Sequence, residues 1–160
     1  MKILVFSDSH GRIGNMVKVY KKIQSDMVFH LGDSELPKEE LKSIFSCPAV
    51  MVRGNTDSDG SYKLEEIIEL FGHRILITHG NRLGVNFSLT GLIEEAGKQK
   101  CDIALFGHTH VPEYKYIKEK DLYIVNPGSI EKPRQYGSKP SWLVLNIEEN
   151  GIVSFKEMYL

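Results

Sequence analysis

The chain opens with Lys2-Ile3-Leu4-Val5-Phe6-Ser7-Asp8-Ser9-His10, a short apolar run that ends at an aspartate and a histidine. Four later runs share this arrangement, each being apolar and followed within a few residues by Asp, Asn or His. They are residues 27–31 before Gly32-Asp33, 49–52 before Gly54-Asn55, 74–78 before His79-Gly80, and 103–106 before Gly107-His108-Thr109-His110. Short β-branched runs bounded by turn residues predict buried strands.

The polar residues that follow these runs form the candidate site. Ligands of α/β proteins gather outside the carboxyl ends of the strands, so strands that share a sheet would bring seven side chains to one edge. Each motif is weak when taken singly, because D-x-H tripeptides arise by chance and a lone G-D or G-N is usually a turn. The ordered set indicates a metal site, since packing alone does not require so many imidazoles in one place. Its members are Asp8, His10, Asp33, Asn55, His79, His108 and His110.

The spacing and the chemistry of this set favour two transition-metal ions. Asp8 and His10 are two residues apart, as are His108 and His110, so on extended chain both side chains of each pair would point the same way. Imidazoles with carboxylates suit Mn, Ni, Fe, Co or Zn, whereas Mg and Ca prefer shells of oxygen ligands. Seven ligands exceed the needs of one ion. Two divalent ions, two aspartates and a bridging hydroxide would leave a charge near about +1, which matches a phosphodiester monoanion.

The rest of the chain predicts an α/β (α+β) fold. Helical periodicity covers residues 14–25 and 88–100, and a further helix is predicted to start at Leu36-Pro37, where proline and acidic residues suit a first turn. Residues 64–70 and 73–78 resemble a hairpin around Phe71-Gly72, and four strand-like runs occupy the tail after residue 113. We therefore expect a single domain over residues 1–160, with two mixed sheets in a four-layer α-β-β-α sandwich.

Composition narrows the classes of partner. The 160 residues carry a formal net charge of −1, so there is no strong nucleic-acid signal from bulk positive charge. No apolar run approaches the roughly 20 residues needed to cross a bilayer, and no secretory signal is evident. Cys47 and Cys101 lie far apart and have no metal-binding spacing. The sequence predicts a soluble, reduced, cytoplasmic protein with no membrane partner, and it leaves a monomer and a homodimer both open.

Five motifs together resemble the calcineurin-like metallophosphoesterase superfamily, in particular its small bacterial and archaeal phosphodiesterase branch. The resemblance extends from Met1 to about Leu145 and includes Asn126-Pro127-Gly128-Ser129. The motifs are D-x-H at 8–10, G-D at 32–33, G-N-x-D at 54–57, T-H-G at 78–80 and G-H-T-H at 107–110.

The resemblance implies a division of the ligands between two ions. It implies that Asp33 bridges the ions, and that Asp33, Asn55 and His79 belong to the catalytic machinery. The implied ligands are Asp8, His10 and His110 for one ion and Asn55, His79 and His108 for the other.

The activity that the resemblance implies is hydrolysis of a small phosphodiester by a hydroxide bridging two metal ions. Many superfamily phosphatases have G-N-H-[DE], but Thr56 replaces that histidine here, and a threonine cannot act as a general acid near neutral pH. Thr56 therefore disfavours a phosphomonoesterase. A protein-binding scaffold is a second alternative, since a retromer subunit has this fold with an impaired metal site. The complete ligand set argues against it.

Several residues near the motifs are candidates for substrate contact. Asn55, Arg12, Arg53 and Arg82 could reach substrate oxygens, the arginines through a bidentate fork, although a solvated surface arginine explains each of the three equally well. Arg134 is a weaker candidate. Asp57 is predicted to support the site from behind. His30, inside a strand run, and His73, in a predicted turn, are left out of the site.

Overall fold

The computed structural model describes residues 1–160 as ten strands and three α-helices, together with two short 3₁₀ turns at Asn81–Leu83 and Lys118–Lys120. The helices are Gly14–Lys22 (α1), Lys38–Ser43 (α2) and Thr90–Lys98 (α3). The strands are Lys2–Phe6 (β1), Met27–His30 (β2), Ala49–Met51 (β3), Glu65–Leu70 (β4), His73–Thr78 (β5), Ile103–Leu105 (β6), Pro112–Ile117 (β7), Leu122–Pro127 (β8), Ser141–Ile147 (β9) and Val153–Tyr159 (β10). None of the helices is long and apolar enough to span a membrane.

The strands form two five-stranded mixed sheets. In the first, the order is β10-β9-β1-β2-β3, with β1, β2 and β3 parallel and β9 and β10 antiparallel to their neighbours. In the second, the order is β4-β5-β6-β8-β7, with β5, β6 and β8 parallel between two antiparallel edge strands. The predicted hairpin is confirmed, since Leu70 pairs with His73. The tail supplies four strands, as predicted.

The two sheets pack face to face around a continuous apolar core. Ile3 and Val5 of β1 belong to the same buried cluster as Ile75 and Ile77 of β5, although these strands lie in different sheets. Side chains alternate between the two faces of a strand, so every second residue of each central strand enters this layer.

The outer face of each sheet is covered by helices. Leu4 and Phe6 of β1 point away from the central core and pack with Met16 of α1. On the other side, Leu76 of β5 packs with Leu92 of α3. Three stacked apolar layers separate four layers of secondary structure, which confirms the α-β-β-α sandwich.

The helices are shorter than the sequence pattern predicts. The helix predicted over 14–25 ends at Lys22, because Ile23 is extended and the Asp26 amide bonds to the Lys2 carbonyl as the chain enters β2. At the end of α3, Lys100 adopts a left-handed conformation with φ 55°, which stops the helix at Lys98.

Two further differences concern single residues. Pro37 caps α2 rather than lying in its first turn, so the helix begins at Lys38. His73 is the first residue of β5, not part of the preceding turn, because its pairing with Leu70 extends the ladder to the end of the hairpin.

Candidate metal centre

All seven predicted ligand residues lie close together, where the carboxyl ends of the two sheets meet. They form two groups, and within each group the candidate ligand atoms lie within 4.8 Å of one another. The groups are Asp8, His10 and His110, and Asp33, His79 and His108. Asn55 belongs beside the second group, since its Oδ1 lies 3.1 Å from His79 Nε2. Asp33 lies between the groups, with its Oδ2 at 3.4 Å from His79 Nε2 and 3.8 Å from His10 Nε2.

The backbone that delivers these ligands is left-handed, not extended as the sequence argument supposed. Asp8 and His10 have φ values of 56° and 46°, and His108 and His110 have 68° and 61°. Asp33 shares this conformation at 54°. In each pair, Asp8 with His10 and His108 with His110, two left-handed residues flank one residue that is not left-handed. This alternation of backbone conformation brings both side chains of the pair to the centre. Asp and His occupy this region more readily than most residues other than glycine.

Hydrogen bonds between neighbouring loops hold these conformations. The amides of Asp8 and His10 donate to the carbonyls of Gly32 and Asp33, at 3.1 and 2.9 Å, so the β1 and β2 loops continue the sheet beyond its strands. Gly54 is required at one approach, because a Cβ there would lie 2.0 Å from Asp33 Oδ1. The glycine of the G-N motif thus lets the β3 loop pack directly against Asp33.

Three of the four histidines are anchored through Nδ1. His10 Nδ1 lies 2.6 Å from Glu35 Oε1. The other two use backbone carbonyl oxygens, His79 that of Leu31 and His110 that of Lys132. An imidazole that donates from Nδ1 is, when neutral, unprotonated at Nε2. These three rings therefore present Nε2 lone pairs to the centre, which is how metal-binding histidines are usually held.

The resulting contacts need a cation. His110 Nε2 lies 3.2 Å from Asp8 Oδ1, and that oxygen is buried without a hydrogen-bond donor. His10 Nε2 and His110 Nε2 face each other at 3.2 Å. Nitrogen and oxygen acceptors at such distances repel unless a proton or a metal ion lies between them. The donor set therefore fits divalent transition-metal ions.

The pKa values of His79, Asp8 and Asp33 show that this cluster favours positive charge. Burial lowers the pKa of His79, but its hydrogen bond to Asp33 and the charges of Asp8 and Asp33 raise it above the ordinary value. Burial raises the pKa of Asp8 and of Asp33, yet the neighbouring imidazoles of His110 and His79, which would donate to these carboxylates when protonated, outweigh burial and lower both. A metal ion would compete with the proton on His79, so metal affinity should rise with pH.

Asp57 lies beneath the metal centre and contacts the loops that carry its ligands. Its carboxylate accepts hydrogen bonds from the Asp33 and Gly54 amides at 2.9 and 2.8 Å. It also accepts from the Ser34 hydroxyl and the Glu35 amide at 3.0 and 2.7 Å. One buried carboxylate thus joins the β2 and β3 loops.

Glu35 is a site residue that sequence reasoning missed. Its φ of 59° repeats the left-handed conformation of Asp33 two residues earlier, and its carboxylate holds His10. The sequence does carry a signal for Glu35, because Asp33 and Glu35 are two residues apart, as are the ligands of the D-x-H and H-x-H motifs. His30, which was left out of the predicted ligands, lies beneath the site, where its buried ring bonds to the Ser9 hydroxyl at 3.1 Å. Burial lowers the pKa of His30 to about 4, so this ring stays neutral.

The Asn126-Pro127-Gly128-Ser129 segment connects to two ligand loops. Asn126 Nδ2 donates to the Gly107 carbonyl at 2.9 Å and to the Thr109 hydroxyl at 3.1 Å. The Ser129 hydroxyl donates to the Asp8 carbonyl at 2.8 Å. Asn86, in an exposed loop, was also missed, and its Nδ2 lies 2.8 Å from His108 Nε2. No sequence pattern marks Asn86.

The four candidate arginines have different surroundings. Arg53 and Arg82 line one cleft of about 780 Å³, and Arg53 Nε also donates to the Asp57 carbonyl at 3.2 Å. Arg12 is exposed and lies outside that cleft. Arg134 is exposed, and its backbone amide bonds to the His110 carbonyl.

The chain is similar to known phosphoesterases over nearly its whole length. It is 32% identical over 152 residues to the probable metallophosphoesterase YsnB of Bacillus subtilis, an alignment covering 94% of this chain and 86% of that protein. It is 24% identical over 183 residues to the phosphodiesterase YfcE of Escherichia coli, covering 98% and 94% of the two chains.

Solved structures share the fold. A predicted phosphoesterase from Streptococcus pneumoniae superposes with a TM-score of 0.81 at 30% identity, covering 99% of this chain and 97% of that one. Vps29 from Entamoeba histolytica superposes at 0.79, covering 100% and 99%, but at 21% identity that likeness shows the fold alone. The calcineurin-like phosphoesterase superfamily domain matches residues 1–150. With the ligand geometry described above, this match identifies the chain as a member of the calcineurin-like phosphoesterase superfamily.

Proposed function

We propose that the protein is a phosphodiesterase that uses two divalent transition-metal ions. The observation that carries this proposal is the pair of adjacent ligand groups on either side of Asp33, each placing imidazole nitrogens beside a carboxylate. Two aspartates and one hydroxide set against two divalent ions would leave a charge of about +1, which suits a singly charged phosphodiester better than a dianionic monoester. The phosphodiesterase name of the relative YfcE supports the same substrate class.

The ligand roles follow the two groups. Asp33 would contact both ions, and Mn is the first candidate metal, with Ni, Fe, Co and Zn as alternatives. The proposed ligands are Asp8, His10 and His110 for one ion and Asn55, His79 and His108 for the other. When bound, the two ions supply a water nucleophile of lowered pKa and neutralise charge on the phosphoryl oxygens.

The residues of this chain would bind and orient the phosphodiester. Asn55 is exposed at the mouth of the site, so its side-chain amide is available to a phosphoryl oxygen. Arg53 and Arg82 line one cleft, and Arg12 is exposed outside that cleft. Thr56 is exposed beside Asn55, and its amide donates to Asp33 Oδ1 at 2.9 Å. Because Thr56 supplies no acid, the departing oxygen must leave as a stable anion.

The proposal is tested by comparing two esters of one leaving group on metal-loaded protein. We expect bis(4-nitrophenyl) phosphate to be hydrolysed with a higher kcat/KM than 4-nitrophenyl phosphate. Asp33→Ala should abolish activity and metal binding with the fold intact by circular dichroism. Asp26→Ala is the matched control, because Asp26 is exposed at the opposite end of β2. Near-normal turnover by Asp33→Ala would contradict the proposed role of Asp33, and faster monoester hydrolysis would contradict the substrate class.

A protein-binding scaffold is the alternative function. It would require that the ligand set serve no catalysis, although all seven positions hold side chains able to bind metal. The same assay separates the two functions, because a scaffold would bind metal without hydrolysing either ester.

A further inference from the structure

A cleft beside the candidate metal centre lies where the two sheets adjoin. Its volume is about 780 Å³, and its walls come from the segment after β3, the start of β4, the 3₁₀ turn after β5 and helix α3. The segments are in contact, since the Arg53 amide donates to the Lys63 carbonyl at 2.8 Å. The lining of the cleft includes the charged side chains of Arg53, Lys63, Glu65, Arg82 and Glu95 and the apolar side chains of Leu64 and Leu83.

The cleft is close to the proposed reaction centre. Arg53 precedes Asn55 by two residues, and Arg82 follows His79 by three. Consecutive Cα atoms are about 3.8 Å apart. The Cα atom of Arg53 therefore lies at most about 8 Å from that of Asn55, and the Cα atom of Arg82 at most about 11 Å from that of His79. A phosphodiester held at the centre could therefore extend one of its substituents into the cleft.

The cleft is lined by charges of both signs, so an anionic ligand would meet carboxylates as well as cations. Lys63 Nζ is paired with Glu66 Oε2 at 3.0 Å. Burial and the neighbouring Glu95 raise the pKa of Glu65, while the Thr78 hydroxyl and the charge of Arg82 oppose this rise. A second phosphate or carboxylate on the substrate would meet Glu65 and Glu95 as well as the arginines.

The lining instead combines carboxylates that accept hydrogen bonds, guanidinium groups that donate them, and exposed aliphatic surface. Leu64 is 42% exposed and Leu83 half-buried, so a flat apolar ring would find contact there. Nucleobases present ring nitrogens, carbonyls and amines at their edges, and they stack on arginine planes. A base satisfies every kind of group in this cleft, which no simple anion or alkyl group does.

We propose that the cleft formed by Arg53, Glu65, Arg82 and Leu83 binds the nucleobase of a nucleoside phosphodiester. This inference rests on the function proposed above and names its substrate class. A carboxylate can accept from the ring N–H and the adjacent amine of guanine together, so the guanosine ester should be preferred to the uridine ester, whose base offers a single ring N–H.

The test uses substrates with one leaving group and one phosphodiester but different substituents. They are the 4-nitrophenyl esters of guanosine 5′-phosphate, uridine 5′-phosphate and ribose 5-phosphate. If the base contributes what stacking contributes elsewhere, kcat/KM should be roughly five- to hundredfold higher for the guanosine ester than for the ribose ester. Glu65→Gln and Arg82→Gln should bring this ratio toward unity. Lys18→Gln is the control, since Lys18 is an exposed cation on α1, away from both the cleft and the metal centre, and it should keep the ratio.

Three results would overturn the inference. They are a wild-type ratio near unity, an equal loss of the ratio in Lys18→Gln and Arg82→Gln, and a preference for 4-nitrophenyl 2-carboxyethyl phosphate over the guanosine ester. The last would show that the cleft binds an anionic substituent.

A binding measurement separates failure of the cleft from failure of the proposed function. Free guanosine, which has no phosphate, should shift the backbone amide resonances of residues 63–65 and 82–83 in a titration followed by NMR. Such shifts without hydrolysis of any ester would refute the phosphodiesterase and support the cleft. Hydrolysis of the esters without such shifts would refute the cleft and support the phosphodiesterase.

Discussion

At the scale of single residues, the site concentrates backbone conformations that a stable fold would avoid. Five of the seven proposed ligands have positive φ: Asp8, His10, Asp33, His108 and His110. A left-handed residue other than glycine costs about 1–2 kcal/mol, so five together cost about 5–10 kcal/mol, comparable with the stability of a whole domain. Hydrogen bonds between the loops, such as those donated by the Asp8 and His10 amides, hold this strain in place. Its concentration at the ligands indicates that the loops are shaped for binding.

The first residue-scale prediction concerns Glu35. Its carboxylate fixes the ring orientation and tautomer of His10, and partners of this kind typically affect metal affinity by about 10- to 100-fold. Glu35→Gln should weaken Mn binding by roughly that factor at the ion held by His10, measured by isothermal titration calorimetry. Glu39→Gln is the matched control, since Glu39 is exposed on α2. Unchanged Mn affinity in Glu35→Gln would show that His10 needs no such partner.

A second residue-scale prediction concerns Thr56. Thr56→His would place an imidazole beside Asn55 at the mouth of the site, where it could protonate the departing oxygen. General acid catalysis is typically worth about 10²–10⁴-fold, so kcat/KM for diesters with poor leaving groups should rise visibly. The measurement is the slope of log kcat/KM against leaving-group pKa, which should flatten in the variant. Ser58→His, two residues further along the exposed loop, is the control and should leave the slope unchanged. A flat slope already in the wild-type protein would mean that another residue supplies the acid.

The sequence patterns predicted which residues form the site better than they predicted the backbone conformation of those residues. Apolar runs ending at Asp, Asn or His were sufficient to select the seven residues that the structure brings together. The left-handed turns at Asp8 and His10 could not be derived, because spacing of two residues is equally compatible with extended chain. Asn86 could not be found either, since its contact with His108 depends on how an exposed loop folds back.

At the scale of elements, strands were predicted well and helix ends poorly, for a physical reason. A strand such as β1 is defined by its own burial, which the apolar run records directly. The end of α1 is decided by a distant contact, the bond from the Asp26 amide to the Lys2 carbonyl, which competes with the helical periodicity that continues through Ile23. The local sequence pattern does not show where a distant hydrogen bond will end a helix.

The element-scale prediction concerns a junction of three segments at His73. Its Nδ1 lies 2.6 Å from Asp102 Oδ2 and its Nε2 lies 2.8 Å from the Gly151 carbonyl, which ties β5 to the loop before β6 and to the β9–β10 turn. Both nitrogens face acceptors, so the ring is best satisfied when protonated. Burial lowers the pKa of His73, but these hydrogen bonds and the Asp102 charge raise it above the ordinary value.

Because the folded-state pKa is raised, the stabilisation from His73 is fully present below the unfolded pKa of about 6.5 and is lost as pH rises through the folded value. The free energy of unfolding lost in His73→Gln should therefore be larger near about pH 5.5 than near about pH 9, by at most about 1 kcal/mol for a partly exposed pair. Urea denaturation of both proteins in EDTA measures this difference. Asp102→Asn should show the same pH dependence. A loss independent of pH would mean that His73 acts while neutral.

At the scale of the whole molecule, the site is shared between the two sheets. Asp8 and His10 follow β1 of the first sheet, whereas the third member of their group, His110, follows β6 of the second. The other group is divided in the same way, since Asp33 follows β2 and His79 follows β5. Each proposed ion would therefore bind ligands from both sheets, and no separated half of the sandwich offers either group complete.

This division predicts that metal binding stabilises the entire fold. The unfolded chain does not bring the ligands together, so an ion at about 100 times its dissociation constant should add about 2.7 kcal/mol. For a chain of this length, that corresponds to a rise in Tm of about 5–10 °C for each ion. We expect calorimetry in excess Mn to show this rise relative to EDTA, and metal analysis to find two ions per chain. Asp26→Ala should show the full rise, and Asp33→Ala should show almost none because both ions depend on the shared carboxylate. A single ion per chain at saturating Mn would contradict the two-ion arrangement, and an unchanged Tm with both ions bound would contradict the coupling between the sheets.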